Sequence, residues 1–313
     1  MTITQLHYVL AVAEHQNFTK AAEKVFVTQP TLSMQIQKLE EELDVQIFDR
    51  SKKPIELTKV GEKIVQQARN IVNESDRIKD IVDQQKGFIG GEFRLGIIPT
   101  IMPTLLPMFL KNFSKKYSKV KLIIEELPTE TIIERLKDGH LDAAIAATPL
   151  EQEKIKERVL YYEPFVAYIP KNHRLQDKAQ LVADDLDIDE VLLLEDGHCF
   201  KEGILNLCKA QNTLSEKSFM LETGSFETII KLANEGLGMT LLPYLHSLEI
   251  KDSEKSNLKM FEEPVPARAV SLIYHKSELK MQIIEALHTV ISGVVKGAIT
   301  FQNVQIISPL QQK

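Results

Sequence analysis

Cysteine is scarce in this chain of 313 residues: Cys199 and Cys208 are the only two, and both fall in one short segment. Two thiols without suitably spaced histidines are too few for a zinc site. His140, His173, His246 and His288 are scattered and give no metal-ligand spacing. There is no glycine-rich phosphate loop and no nucleophile elbow, so no cofactor and no enzyme of those classes is expected. No apolar run reaches the roughly 18 residues of a membrane span, so a membrane partner is not expected. The first residues lack a basic stretch followed by an apolar run. No signal peptide is therefore expected, and the reducing cytoplasm is the expected location. There a lasting structural disulfide is disfavoured, and a transient one is informative. An excess of positive charge is missing too: 38 Lys and Arg stand against 44 Asp and Glu, a net charge of −6. If nucleic acid is a partner, a local patch and dimer geometry must supply the binding.

What is present begins with length. The chain exceeds what one hydrophobic core usually serves, so two or three domains are expected. Leu6, Val9, Leu10 and Ala13 recur at helical spacing. After His15-Gln16-Asn17, Phe18-Thr19 leads into Ala21, Ala22 and Val25, with Thr19 expected as the N-cap and Glu23 in the first turn. Pro30 suits the first position of a further helix, with Thr28 or Gln29 just outside it. Leu32, Ile36, Leu39 and Leu43 form its apolar stripe, and Thr31, Ser33, Gln35 and Lys38 lie opposite.

Helix, short turn and helix with a polar outer face fit helix-turn-helix DNA binding; a solvated helical hairpin is the plainer alternative. Hydroxyl and amide side chains can meet phosphates and base edges. The segment Ile47–Leu57 reads as a hairpin with a basic tip, whose Arg50, Lys52 and Lys53 are placed to track phosphates as a wing.

A long helix is expected from Thr58 to about Gly87. Ile64, Ala68, Ile71, Ser75, Ile78 and Val82 repeat by fours and threes, a narrow seam of the coiled-coil type that reads as a dimer contact. The alternative is packing against the chain's own domains. Gly90-Gly91 marks a hinge.

Beyond it, strands and helices alternate. Strands are expected at Phe93–Ile98, Val120–Glu125 and Leu141–Ala146, and helices at Ile101–Tyr117 and Thr129–Gly139. This order predicts a parallel sheet. A second block offers strands at Val166–Ile169, Val191–Leu194 and Phe219–Glu222, then a helix-to-strand unit at Leu237–Pro243. A strand at Val270–Tyr274 and a helix around Leu279–Val295 return to the first block. The amide-rich tail Phe301–Lys313 is expected to be poorly ordered.

Between the cysteines the chain reads as helix. At about 1.5 Å per residue, nine steps separate the two Cα atoms by roughly 13 Å, against the roughly 7 Å limit for a disulfide. Joined thiols and this helix are mutually exclusive. Gly197-His198-Cys199 falls between strand and helix, where positive helix-end potential and an adjacent imidazole lower a thiol pKa. Cys208 lies on a mostly apolar stretch, as a buried hydrophobe would. On the residues alone the pair stays open between buried structural thiols and a redox switch.

Residues 1–87 resemble the N-terminal domain of LysR-type transcriptional regulators. The likeness is carried by Phe18-Thr19-Lys20-Ala21-Ala22, Thr28-Gln29-Pro30-Thr31-Leu32-Ser33, Gln35-Ile36, Leu39-Glu40, Leu43 and Leu57-Thr58-x-x-Gly61. The resemblance implies an α+β multidomain chain. A winged helix-turn-helix occupies 1–60 and a linker and dimerisation helix 58–87. A two-subdomain α/β effector domain, akin to periplasmic solute-binding proteins, occupies 91–300. Subdomain I would hold 91–162 and 267–300, subdomain II 163–266, and the tail 301–313.

Leu193-Leu194-Glu195-Asp196-Gly197-His198-Cys199 followed by Cys208 is similar to the peroxide-sensing activators of that family. This likeness implies that Cys199 is the peroxidatic thiol and Cys208 the resolving thiol of a reversible disulfide. Thr100, Thr129, His198 and Arg268 would contact peroxide, although a threonine after a strand is also a common helix cap. The implied partners are a double-stranded DNA operator, hydrogen peroxide, RNA polymerase, a reductant such as glutaredoxin or thioredoxin, and further copies of the chain in a homodimer or homotetramer. One departure stands out: Ser225-Phe226-Glu227-Thr228 follows Phe219-Met220-Leu221-Glu222, without the histidine many such regulators carry there. The alternatives are a regulator of the same type that answers a small molecule through a domain with structural cysteines, and a thiol peroxidase or solute-binding protein with an appended helical domain.

Overall fold

The computed structural model of the chain describes residues 1–85, 89–194, 199–208, 223–299 and 303–310. It comprises two compact units, Met1–Phe88 and Ile89–Lys313. Among the described residues no helix is long and apolar enough to cross a membrane.

The first unit runs α1 (Ile3–His15), α2 (Phe18–Lys24), α3 (Gln29–Leu43), β1 (Phe48–Asp49), β2 (Glu56–Leu57) and α4 (Lys59–Gln85). Helix α2 begins one residue before Thr19. Asn17, a stronger cap than threonine, accepts from the N–H groups of Thr19 (2.8 Å) and Lys20 (3.0 Å). Thr19 is therefore inside the helix, and Glu23 lies near its end. Starting there also carries Phe18 into the core, edge-on to Phe48 at 6.0 Å. On α3, Leu32, Ile36 and Leu39 are fully buried, whereas Leu43, the last residue of the expected stripe, is exposed. Strands β1 and β2 pair antiparallel as the expected hairpin.

Gly61 is a place where no side chain fits: a Cβ there would come 2.0 Å from the Ile47 carbonyl oxygen. That carbonyl accepts from the Thr58 N–H, and the Thr58 hydroxyl accepts from the Gly61 N–H. The close crossing of wing and α4 accounts for the Leu57-Thr58-x-x-Gly61 stretch.

The seam expected on α4 divides in two. Ala68 is buried in the unit's own core with Val65 and Val72, and Ile64 and Ile71 pack against that core. These three seam residues serve intrachain packing against α1 instead of an open seam. Ile78 (64% exposed) and Val82 (45%) remain uncovered.

The second unit contains β3 (Gly91–Ile97), α5 (Met102–Lys116), β4 (Val120–Glu126), α6 (Thr129–Lys137), β5 (Ala143–Thr148), β6 (Ile155–Tyr168) and β7 (Gln180–Leu181). It continues through α7 (Cys199–Leu207), α8 (Phe226–Asn234), β8 (Thr240–Pro243), α9 (Tyr244–Ser247), β9 (Leu258–Phe261), β10 (Val265–His275), α10 (Met281–Val295) and β11 (Val304–Ile306). Strand β3 lies between β4 and β5, parallel to both, as the alternating order predicts. Strands β6 and β10 are far longer than the sequence indicated and pair antiparallel, with Glu163 opposite Arg268. They run between two hydrophobic cores. One gathers α5, α6 and α10 over β3 and β5; the other gathers α7, α8, β8 and β9. The expected strand at Val191–Leu194 is only a bridge from Val191 to Met239, and Phe219–Glu222 lies outside the described residues.

The tail differs most from expectation. Residues 303–310 are ordered against the domain. β11 pairs parallel with β10, and Ile307 is buried in the second core. Its Val304-Gln305-Ile306 triplet finds an open edge at Val265–Ala267, where backbone pairing satisfies groups that an amide-rich segment would otherwise leave to water.

Candidate functional site

In the second unit, Thr100 and Thr129 follow β3 and β4 at the carboxyl edge of the parallel sheet, where open α/β sheets bind ligands. The Leu127 N–H donates to the Ile97 carbonyl at 3.1 Å and holds the two strand exits side by side. Arg268, on β10 at the far side of β5, reaches the same edge. Its Nη1 donates to the Thr100 hydroxyl at 2.9 Å, and its Nη2 donates to the Thr100 carbonyl at 3.1 Å. Neither threonine caps a helix. Thr100 is buried and accepts from Arg268, which leaves its own O–H proton to donate to a ligand oxygen. Thr129 begins α6, its hydroxyl oxygen is buried, and it has no hydrogen-bond partner. A buried hydroxyl without a partner costs about 1–3 kcal/mol, so a site of this kind favours a small polar ligand or water.

The sequence reading missed Glu163. It is 1% exposed, its Oε2 accepts from Arg268 Nε (2.9 Å) and Nη2 (2.7 Å), and its Oε1 accepts from the Leu245 N–H (3.1 Å). A lone carboxylate in the apolar run Tyr161-Tyr162-Glu163-Pro164-Phe165 was the available signal. Tyr161 lies nearby with an unpartnered buried hydroxyl. Burial first, then the Glu163 charge, holds that hydroxyl well above the usual tyrosine pKa. Arg268 is 3% exposed, so Arg268 and Glu163 form a desolvated pair.

Helix α7 meets this pair through aromatic rings. The Phe200 ring centroid lies 5.0 Å from the Arg268 guanidinium carbon. Phe200 also packs on Phe165 (5.1 Å) and Phe226 (5.3 Å), and Phe226 packs on His246 (4.9 Å), whose pKa burial lowers. Gly203 lets α7 approach this cluster: a Cβ there would sit 3.3 Å from the Phe165 ring. Cys199 is the first residue of α7, immediately before Phe200; its side chain, and the whole of His198, lie outside the described residues. At the other end the Cys208 N–H donates to the Ile204 carbonyl at 2.9 Å, so the backbone is coiled across the whole interval between the cysteines. Cys208 is a half-buried free thiol whose pKa is pushed up to about 11, by burial first and then by the charge of Asp187.

In the first unit, Thr28 caps α3, with its hydroxyl 2.8 Å from that of Thr31. Thr28, Gln29 and Pro30 are exposed; Ser33 and Gln35 are half-buried. The Gln35 side chain accepts from Gln5 at 3.4 Å. Arg50 is less free than a phosphate-tracking residue would be. It donates to Ser33 (3.2 Å) and Glu40 (2.8 Å) and lies over the Phe18 ring. Lys52 and Lys53 are exposed at the wing tip. Phe26, in the turn before α3, is 94% exposed at φ +57°, a feature the sequence reading overlooked.

Residues 3–62 match the bacterial regulatory helix-turn-helix protein model of the lysR family, and residues 86–295 match the LysR substrate binding domain. The chain belongs to the LysR family. A hydrogen peroxide-inducible genes activator of Pectobacterium carotovorum is 32% identical over 88% of this chain and 90% of its own length. The HTH-type transcriptional regulator EstR of Acinetobacter baylyi is also 32% identical, over 88% of this chain and 91% of its own. Among solved structures, a full-length OxyR variant from Pseudomonas aeruginosa is similar with a TM-score of 0.75 and 32% identity, over 93% of this chain and 98% of that one. This LysR chain is a DNA-binding transcriptional regulator and not an enzyme.

Proposed function

We propose that this regulator senses hydrogen peroxide through Cys199 and a reversible Cys199–Cys208 disulfide, and that it activates oxidative-stress genes in the cytoplasm. The observation that carries the reading is helix α7, which is coiled between the only two cysteines and docked by Phe200 on Arg268. In the first step the Cys199 thiolate attacks one peroxide oxygen. The O–O bond breaks, Cys199 becomes a sulfenic acid, and the other oxygen leaves as hydroxide and takes a proton to become water. In the second, the Cys208 sulfur attacks the sulfenic sulfur. An S–S bond forms and a second water leaves with the Cys208 proton.

Thr100, polarised by Arg268, donates to peroxide; Thr129 supplies its unpartnered hydroxyl, and His198 completes the pocket. The disulfide is incompatible with a coiled α7, so oxidation repacks the second core and changes contacts between subunits of a homodimer or homotetramer. The helix-turn-helix, through Thr28, Gln29, Pro30, Thr31, Ser33 and Gln35, meets operator DNA, and RNA polymerase is recruited there. A thioredoxin or glutaredoxin would reset the switch.

Two measurements test the reading. Stoichiometric peroxide should remove two hydrogens from the intact mass, and the DNA footprint of the native chain should change with peroxide while that of Cys199→Ser should not. A product arrested at sulfinic acid would count against the switch. The second reading, a small-molecule-responsive regulator with structural thiols, is favoured by the equal identity to EstR and by the burial of Cys208, which raises its thiol pKa. It requires Cys199→Ser to retain inducibility.

A further inference from the structure

Helix α7 is tied to β10 at both ends. At its start Phe200 packs on Arg268 of β10. Near its end the Asn206 side-chain amide donates to two carbonyls of the C-terminal segment, Ser308 at 2.8 Å and Leu310 at 2.7 Å. That segment is itself fastened to β10 immediately before Arg268. Val304, Gln305 and Ile306 pair with Val265, Pro266 and Ala267. The Ile307 N–H donates to the Ala267 carbonyl at 2.8 Å, and the Val265 N–H donates to the Asn303 carbonyl at 3.0 Å. Ile307 shares its core with Ile204 and Leu207 of α7.

From this arrangement we infer that residues 303–310 form a latch that holds α7 coiled through Asn206, and that Asn206 is a positioning residue setting the peroxide dose at which the switch fires. The inference rests on the peroxide reading above. Asn206 lies two residues before Cys208, in the last turn of the helix that must unwind if the thiols are to meet. Uncoiling α7 moves its amide away from both carbonyls, so the two bonds oppose the disulfide. These bonds form only with the coiled state, so their loss lowers the threshold for oxidation without adding a reacting group.

The test compares the full-length native chain with Asn206→Ala and with a chain ended after Asn303. Hydrogen exchange is first followed under reducing conditions. Backbone amides of 203–208 should exchange about tenfold faster in both altered chains, the scale of one or two lost amide hydrogen bonds. In titrations with hydrogen peroxide, the dose for half-maximal loss of two hydrogens should fall severalfold in Asn206→Ala, and in the native chain residues 304–308 should lose protection on oxidation. Unchanged exchange of 203–208 in Asn206→Ala overturns the latch whether or not a disulfide ever forms. So does a native disulfide that forms with 304–308 still protected. Faster exchange in Asn206→Ala with no disulfide in the native chain would instead uphold the latch and refute the peroxide reading.

Discussion

Arg268 lies with its guanidinium carbon 5.0 Å from the centre of the Phe200 ring, so a buried cation on a sheet strand reports on the first turn of the helix that begins at Cys199. The contact belongs to the cation–π class, and its strength grows as water is excluded. Arg268 is held in turn by Glu163 and Thr100, and Glu163 by the Leu245 backbone. The chain of contacts therefore couples the strand exits, β6, β10, α9 and α7.

Glu163 should be the most stability-sensitive member. Removing one partner of a buried ion pair leaves the other charge uncompensated, at about 3–5 kcal/mol. Glu163→Gln should lower stability toward urea on that scale. Glu163→Met combined with Arg268→Met should recover most of the loss, because packed apolar side chains replace such pairs at little cost. Equal stability of Glu163→Gln and the native chain would contradict a desolvated pair.

Cys208 should be nearly inert in the reduced, folded chain. Its pKa is pushed up to about 11. At any pH below the ordinary thiol pKa, its thiolate is roughly a hundredfold scarcer than that of an ordinary thiol. Burial favours the neutral thiol, so its contribution to stability is complete below the ordinary thiol pKa and is lost as pH rises through about 11. In Cys199→Ser, the iodoacetamide rate at Cys208 should climb until about pH 11 and jump at neutral pH when the chain is unfolded. Rapid alkylation in the folded state at pH 8 would contradict this packing.

Thr100 separates the site's chemistry from its architecture. Thr100→Val keeps the shape but removes the hydroxyl that accepts from Arg268. Oxidation of Cys199 by peroxide should slow by roughly a hundredfold, the scale for losing one preorganised donor, while Thr100→Ser stays near the native rate. Equal rates for the valine and serine forms would mean that peroxide does not meet this hydroxyl.

Much of this was legible from local pattern. The periodicity of Leu32, Ile36 and Leu39, the proline at the start of α3, and the alternation of strand and helix through Thr148 are nearest-neighbour signals, and the structure follows them. What stayed hidden is non-local. Strands β6 and β10 are interrupted in pattern by Glu163-Pro164 and by Pro266 and Arg268, so only the mainly apolar stretches Val166–Ile169 and Val270–Tyr274 read as strands. Glu163 and Arg268 are 105 residues apart in sequence, and each explains the other only once the strands pair. The tail looked polar and idle because it is held through its own backbone, by carbonyls that accept from distant Asn206 and by an open strand edge, which leave no mark on its side-chain composition.

The wing separates two kinds of basic residue. Lys52 and Lys53 are exposed at its tip, and Lys52→Ala with Lys53→Ala should weaken DNA binding uniformly across sequences. If both lysines meet phosphates, the double change should reduce the salt slope by about two. Arg50→Ala should act differently. It removes contacts to Ser33, Glu40 and Phe18 and should lower the stability of the N-terminal unit. Fluorescence anisotropy over a salt series, beside thermal unfolding, distinguishes the two. An unchanged slope in the double lysine variant would remove the wing tip from the interface.

Ile78 and Val82 bring the last expectation to a decisive form. Ala68 is spent within the N-terminal core, and Ile64 and Ile71 pack against it, so the open half of the α4 seam is where a second copy would pack. Burying a side chain of this size is worth about 1.5–3 kcal/mol. Two residues used on both partners are therefore enough to decide a dimer, and a charge at each position would be buried without a counter-ion. Ile78→Glu with Val82→Glu should shift the light-scattering mass of the full chain toward monomer and weaken operator binding by at least tenfold, since a single helix-turn-helix then meets a single half-site. The fold of each N-terminal unit should persist, because neither residue belongs to its core. A variant that keeps the native mass would place the subunit contact elsewhere than on this helix.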